Sequence, residues 1–494
     1  MTAALPLVVK ASPASQSGLW RKLLSFPVML AAGLAVITFY TISSRAGDPD
    51  LWWHLKVGQI IWNTHTIPAI DTFSYTAQGH AWTAHEWLSQ WALYGTYLAG
   101  GQAGLLWWLG VSASAIFIAI YAVCWLRTRN ALVAFLGGLL AWFFAMPSLA
   151  IRPLMLGHLF LATELLFLEL AWTRNRRWLW CLPFLFAIWV NCHASYLLGL
   201  GVLGVYSILS HATVHWGSSF SEAWKKEDRR QLAAVLLVSG VALCANPVGM
   251  RVLWYPINTL FAQTNGMNLV LEWLPPDLRA PRTIGLFVVM GGIALCALLR
   301  GSRLPLPDLL IVLAAFWLAL QHSRMAFVFG LLAAPLVAGL LGPAWGNDTR
   351  RDHPVLNGIL MLGAIGAIMA AFPKPAAIGE QIRKASPVDA VNFIRRTGFS
   401  GPMLNEYVFG GYLIWALPEQ KVFIDGRADV FDWTGVFDEY RRWMSLEEDP
   451  AFLLDRRHIR FCLLSSSSPL TRVMPYLPGW HRVYSDPVAV IFAR

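Results

Sequence analysis

The 494-residue sequence predicts a polytopic α-helical membrane protein followed by a C-terminal α/β domain outside the bilayer. Three observations carry this. Hydrophobic types make up 56% of residues and charged types only 13%, against about 25% charged in an ordinary soluble domain. Apolar runs of roughly 20 residues, the length that crosses a bilayer as a helix, recur as far as Phe372. Charge then rises, with 15 basic and 14 acidic residues in 373–494. The same composition excludes collagenous, disulfide-stapled and disordered classes. The net charge of +10 could suit nucleic acid. Its surplus lies in short loops between apolar runs, so no nucleic-acid partner is expected.

Eleven spans are predicted: 24–43, 103–126, 131–149, 153–172, 178–195, 196–213, 231–247, 283–299, 304–321, 324–342 and 355–372. With a cytoplasmic N-terminus, 16 Lys and Arg fall in inner segments, among them Lys10, Arg127, Arg350 and Arg351, and seven in outer loops. That asymmetry sets the orientation. It makes 1–372 a membrane domain in a prokaryotic cytoplasmic membrane and 373–494 an extracytoplasmic one. The first apolar run has no small-residue cleavage pattern and reads as an uncleaved anchor. Residues 86–99 are apolar but short, and Gly100-Gly101 breaks them from the next span. They read as an interfacial or re-entrant helix, with a twelfth crossing as the alternative.

This orientation gathers the unusual polar residues on the outer face. The first outer loop, 44–86, begins with Asp48-Pro49-Asp50, and a helix starting there puts Asp50 and His54 on one side. It ends with Trp82, His85 and Glu86. Later outer segments add Arg152, Asn191, His193, Glu272, His322 and Arg324. Ionisable groups at a membrane surface are expensive to place and mark a functional site. Each has a plainer role as well. Asp48 or Asp50 can cap a helix, Arg152 can snorkel to lipid, and Asn191 and His193 can join helices. Trp52, Trp53, Trp62 and Trp82 read as an interfacial belt, and Glu164 and Glu169 as packing or polar-pair residues. Gly199, Gly201 and Gly204 spell a dinucleotide motif inside an apolar helix with no preceding strand, so they indicate helix packing. There is no P-loop, which argues against an ATP-driven pump.

On these residues the chain resembles the GT-C membrane glycosyltransferases: protein O-mannosyltransferases, aminoarabinose transferases and the catalytic subunit of oligosaccharyltransferase. The likeness rests on an acidic motif after the first span, Asp48 and Asp50 within GDPDLWWH, and a second acidic position, Glu86. The resemblance implies transfer of a sugar from a polyprenyl-phosphate or -diphosphate donor to a glycan, lipid or protein acceptor. Asp48 and Asp50 would be the catalytic carboxylates. Arg152 and Arg324 would clamp the lipid phosphate, while His54, His85, Glu86, Asn191, His193 and His322 contact substrate. A divalent metal (Mg or Mn) on Asp48, Asp50 and Glu86 is the alternative to a carboxylate base. Glu272 would be a later-loop acid. Residues 405–412, NEYVFGGY, resemble the oligosaccharyltransferase acceptor motif at Glu406 and Tyr412. They lack its paired Trp and its Asp, so peptide recognition does not carry over.

In the C-terminal domain a helix is expected from Ser386-Pro387 to Arg396, ended by Gly398, with strands at 402–405, 421–425, 460–464 and 487–493 and a polar helix at 436–445. Residues 424–429, IDGRAD, read as a tight turn with an ion pair, the alternative being an acceptor or metal contact. The domain could cover the membrane site or recognise the acceptor. A transporter or flippase for a lipid-linked or anionic substrate is the alternative function. It predicts polar groups at the bilayer midplane and repeated halves, neither of which the sequence has.

Overall fold

The computed structural model describes residues 17–262, 270–345 and 352–494; Lys10, Arg350 and Arg351 lie outside them. Apolar helices Trp87–Thr128, Ala131–Ala145, Leu154–Thr173 and Ala326–Trp345 pack at the centre of a bundle. Phe117, Ile120, Phe186, Trp189 and Phe327 are buried between them. Local chemistry sets the ends. Arg129 turns left-handed (φ 52°) and closes one helix. Asn130 then caps the next, its Oδ1 accepting from the Leu132 and Val133 amides at 3.0 and 3.1 Å.

Six helices among the described residues are long and apolar enough to cross a membrane. Eleven crossings were expected. Each expected span contains a helix, but Phe26–Ile42, Leu182–Cys192, Tyr196–Leu209, Lys226–Ala242 and Leu306–Gln321 have 17 residues or fewer. The run 178–195 is the clearest departure. Its first residues form a 3-10 turn, Arg176–Cys181, and extended His193 stops the helix after 11 residues. Gly101 (φ 57°, ψ −146°) separates 87–100 from the rest of Trp87–Thr128. That first segment is about 21 Å long at 1.5 Å per residue, less than the ~30 Å of hydrocarbon.

Glu169 is in an ion pair, as expected, accepting from Arg127 Nε at 2.6 Å; Arg127 also binds Asp308, which accepts from the Tyr206 hydroxyl. Glu164 is buried and finds no hydrogen-bond partner among the described residues. Gly199, on helix Tyr196–Leu209, packs against the Trp189 ring.

The C-terminal α/β unit is built on a four-stranded sheet. Met403–Asn405 runs parallel to Phe461–Ser465, which pairs antiparallel with Ala489–Ala493, and His481–Ser485 completes the edge. Helices Val388–Thr397, ended by Gly398 (φ 72°), and Val436–Met444 lie where expected. Two strand expectations change. Residues 421–425 are no strand, because Val422 instead bridges Ser74 of the first loop. The edge strand His481–Ser485 was not anticipated, being too polar and exposed to read as one.

That bridge belongs to a broad junction between loop 44–86 and the α/β unit. Val422 exchanges backbone hydrogen bonds with Phe73 and Tyr75 at 3.1 Å. Trp53, Val57, Ile61 and Trp82 share a core with Phe409, Leu413 and Phe423. At its centre Arg427 Nη2 lies 2.7 Å from both Asp71 and Asp425, with all three side chains fully buried. The ion pair read into 424–429 is therefore real and gains a third member from the loop. The belt assignment fails for Trp52, Trp53 and Trp82, which are 2%, 8% and 6% exposed beneath this junction; Trp62 remains exposed and stacks on Trp91.

Removing one partner of a buried ion group strands the rest. Asp71→Asn is expected to cost roughly 3 kcal/mol. A clear fall in the apparent melting temperature in detergent would register it, and an unchanged value would mean that the apolar junction alone holds the unit.

Candidate active site

Pro49 fixes the turn that separates the two leading carboxylates. Asp48 Oδ1 accepts from the Asp50 amide at 2.9 Å, which sets the turn. Its Oδ2 accepts from Arg152 Nε at 2.7 Å. Asp50 stands at the N-cap of helix Leu51–Thr64, yet its side chain makes no capping bond. It faces Arg152 Nη1 at 3.0 Å instead. Glu272 meets the same nitrogen at 3.2 Å. One guanidinium therefore gathers three carboxylates, and neither aspartate is a mere helix cap. Arg152, expected as a lipid-phosphate clamp, is paired with all three carboxylates.

Arg324 differs. Its guanidinium lies over the Trp273 ring, 4.5 Å from the centroid, with no carboxylate within ion-pair distance among the described residues. His322 Nδ1 donates to the Trp273 carbonyl at 2.6 Å, tying the two segments together.

Glu86 is the second focus. His193 Nε2 lies 3.4 Å from its carboxylate, and His54 and His85 each 3.7 Å. His193 Nδ1 accepts from the Ser195 amide, which leaves Nε2 as the protonated nitrogen facing Glu86. Burial pushes Glu86 up to about 8, helped by Asp429, and drives His85 down to about 4. His54 is also lowered by burial and by Arg152. Near neutral pH the cluster is thus a largely protonated carboxyl among neutral imidazoles. Asp50 is raised to about 6, first by burial and then by Asp48 and Glu272 against the pull of Arg152.

These groups line one cavity of about 440 Å³. Asp50, His54, His85, Glu86, Arg152, His193, His322 and Arg324 border it, roofed by Gly426–Asp429 of the α/β unit. A second cavity, also about 440 Å³, holds Asp48 and Glu272. The two share Arg152, Leu154 and Arg324. Gly426 is required here: a Cβ would come within 2.1 Å of Asp50 Oδ1.

Three expected site residues lie elsewhere. Asn191 donates to the Ala187 and Ala245 carbonyls and accepts from Trp87 Nε1, all at 2.8 Å, so it locks helices together. Glu406 accepts from the Tyr440 hydroxyl and the Ser465 amide within the α/β unit. Tyr412 packs edge-on against Trp52. The metal alternative finds no support in the geometry. Arg152 occupies the face shared by Asp48 and Asp50, Glu86 sits with the histidines, and no group of three such side chains is placed to hold a metal ion among the described residues. Asp429, Tyr255 and His158 border the cavity without having been singled out as site residues. Only Asp429 had a signal, in the alternation of 424–429.

The raised carboxyls imply a pH dependence. Between about pH 4.5 and pH 8 the folded protein keeps a proton on Glu86 that the unfolded chain releases, so stability declines as pH rises through this window. Glu86→Gln is expected to shrink the difference in melting temperature between pH 5 and pH 8, mainly by stabilising at pH 8. An unaltered slope would remove Glu86 as its source.

No family model matches the sequence, and no curated protein matches it. Solved structures do match in fold. The oligosaccharyltransferase AglB of Archaeoglobus fulgidus, in complex with an inhibitory peptide and dolichol-phosphate, superposes with a TM-score of 0.57 at 13% identity, over 88% of this chain and 69% of that one. ArnT from Cupriavidus metallidurans matches with a TM-score of 0.55 at 14% identity, over 97% and 98%. The form bound to undecaprenyl phosphate gives 0.52 at 15% over the same shares. At this identity the likeness is one of fold, carried over nearly the whole of a chain of equal length. The chain therefore shares its fold with AglB and ArnT.

Proposed function

We propose that the chain is a membrane glycosyltransferase that moves a sugar from a polyprenyl-(di)phosphate carrier to an acceptor on the outer face of the cytoplasmic membrane. The observation that carries this is the seam between the two cavities. There, a carboxylate pair and two guanidinium groups stand together in a fold shared with AglB and ArnT. In this reading the N-terminus is cytoplasmic, and 373–494 lie outside as the roof of the site.

The chemistry needs a base, an anion holder and a dry site. Asp50 is the better base. It borders the main cavity and titrates near 6, so it is ionised at neutral pH yet basic enough to take a proton. Both oxygens of Asp48 are already engaged. Asp48 instead anchors Arg152 and, through it, the position of Asp50. The acceptor O–H or N–H gives its proton to Asp50 while its heteroatom bonds to the sugar's C1. The bond from C1 to the phosphate oxygen breaks, and that oxygen leaves with the electron pair. Arg324, without a carboxylate partner among the described residues and bordering both cavities, receives the growing negative charge, and a guanidinium can grip phosphate with two parallel hydrogen bonds.

The test is sugar transfer in purified membranes supplied with radiolabelled polyprenyl-linked sugars. Asp50→Asn at normal abundance is expected to lower the rate at least ~10²-fold. Arg324→Gln should do so by a similar factor. Wild-type membranes that yield no product from a broad donor panel, yet move labelled lipid between leaflets, would replace the transferase by a transporter.

A further inference from the structure

A third cavity, of about 400 Å³, opens on the far side of the main one. It shares Trp82, Tyr255 and Asp429 with the main cavity and no residue with the second. The three therefore form a series, with Arg152 and Arg324 at one internal border and Trp82, Tyr255 and Asp429 at the other. The two outer cavities differ in chemistry. The second is rich in cations, with Arg45, Arg152, Arg324 and Lys384 against Asp48 and Glu272. The third sets Arg251 against Asp429 and adds Asn258 and two tryptophans, Trp254 and Trp433.

Those indoles are unusual for their position. Trp254 is 59% exposed and Trp433 63%, although both line a cavity. They come from different parts of the chain, helix Met250–Ala262 and the residue after helix Ala428–Asp432. Among the described residues neither stacks on another ring. Exposed aromatic faces beside amide, carboxylate and guanidinium groups suit a ligand with apolar C–H faces and many hydroxyls. A sugar ring is such a ligand. A lipid surface would satisfy the indoles but leave the polar lining facing hydrocarbon.

We infer that this third cavity is the acceptor subsite and that the acceptor is a carbohydrate, seated on Trp254 and Trp433 so that its reacting hydroxyl passes Tyr255 and Asp429 into the main cavity. The inference rests on the glycosyltransferase reading and adds the acceptor class to it. Donor phosphate and acceptor then approach from opposite ends, and Asp50 lies between them.

The experiment uses the purified full-length chain in detergent. Tryptophan fluorescence is followed while trisaccharides of glucose, N-acetylglucosamine, galactose, mannose and xylose are titrated in, and undecaprenyl phosphate binding is measured separately. At least one trisaccharide is expected to bind wild type saturably. Trp254→Ala with Trp433→Ala should weaken it at least tenfold, with undecaprenyl phosphate binding unchanged; both side chains are exposed, so folding should survive. Failure of every trisaccharide to bind, or equal binding by the double variant, overturns the inference. So does a double variant that loses only its partitioning into lipid vesicles, which would make the indoles membrane anchors. Loss of undecaprenyl phosphate binding by wild type itself would instead strike the glycosyltransferase reading.

Discussion

A single guanidinium holds the centre of this molecule. Arg152 draws Asp48 and Asp50, from one turn, together with Glu272 from a later loop. Three carboxylates around one cation carry a surplus of negative charge, and burial makes that surplus costly. The structure relieves it by leaving Asp50 with a raised proton affinity. The same constraint that positions the acids thus raises the proton affinity of the one proposed as the base. Among the described residues Arg324 has no such carboxylate partner and lies over the Trp273 ring instead.

The α/β unit completes the site rather than hovering over it. Its 424–429 segment lies against Asp50 so closely that only glycine fits at 426. Arg427 fastens the segment to Asp71 in the first loop. Loop and unit share one apolar core, so the roof cannot lift without exposing Trp53, Trp82 and Phe423 together. Access must then run laterally, through the cavities at either side. A series of three cavities runs from the arginine-lined end to the tryptophan-lined end.

Much of the site was legible in the sequence because it is local. Asp48, Asp50 and His54 belong to one turn and one helix, and the charge asymmetry of the loops assigned them to the same membrane face as Glu86, Arg152, His193 and Arg324. Six of those seven border one cavity, and Asp48 lies just across the Arg152 seam. What failed was anything that depended on a partner far along the chain. Val422 looked like a sheet strand until Ser74 took its backbone. Trp52, Trp53 and Trp82 looked interfacial until the α/β unit covered them. Asn191 looked available until Trp87 and Ala245 used its amide.

The sequence by itself determined the class of molecule, because apolar run length and charge sidedness are written residue by residue and need no partner. It also determined which side-chain chemistry gathers at one surface. Only the tertiary structure decided which arginine pairs with carboxylates and which, among the described residues, does not, which aspartate faces the cavity, and that 424–429 forms its roof. Those outcomes depend on distances of a few ångströms between segments separated by a hundred residues or more, and the strength of charge interactions at such range changes several-fold with distance and burial.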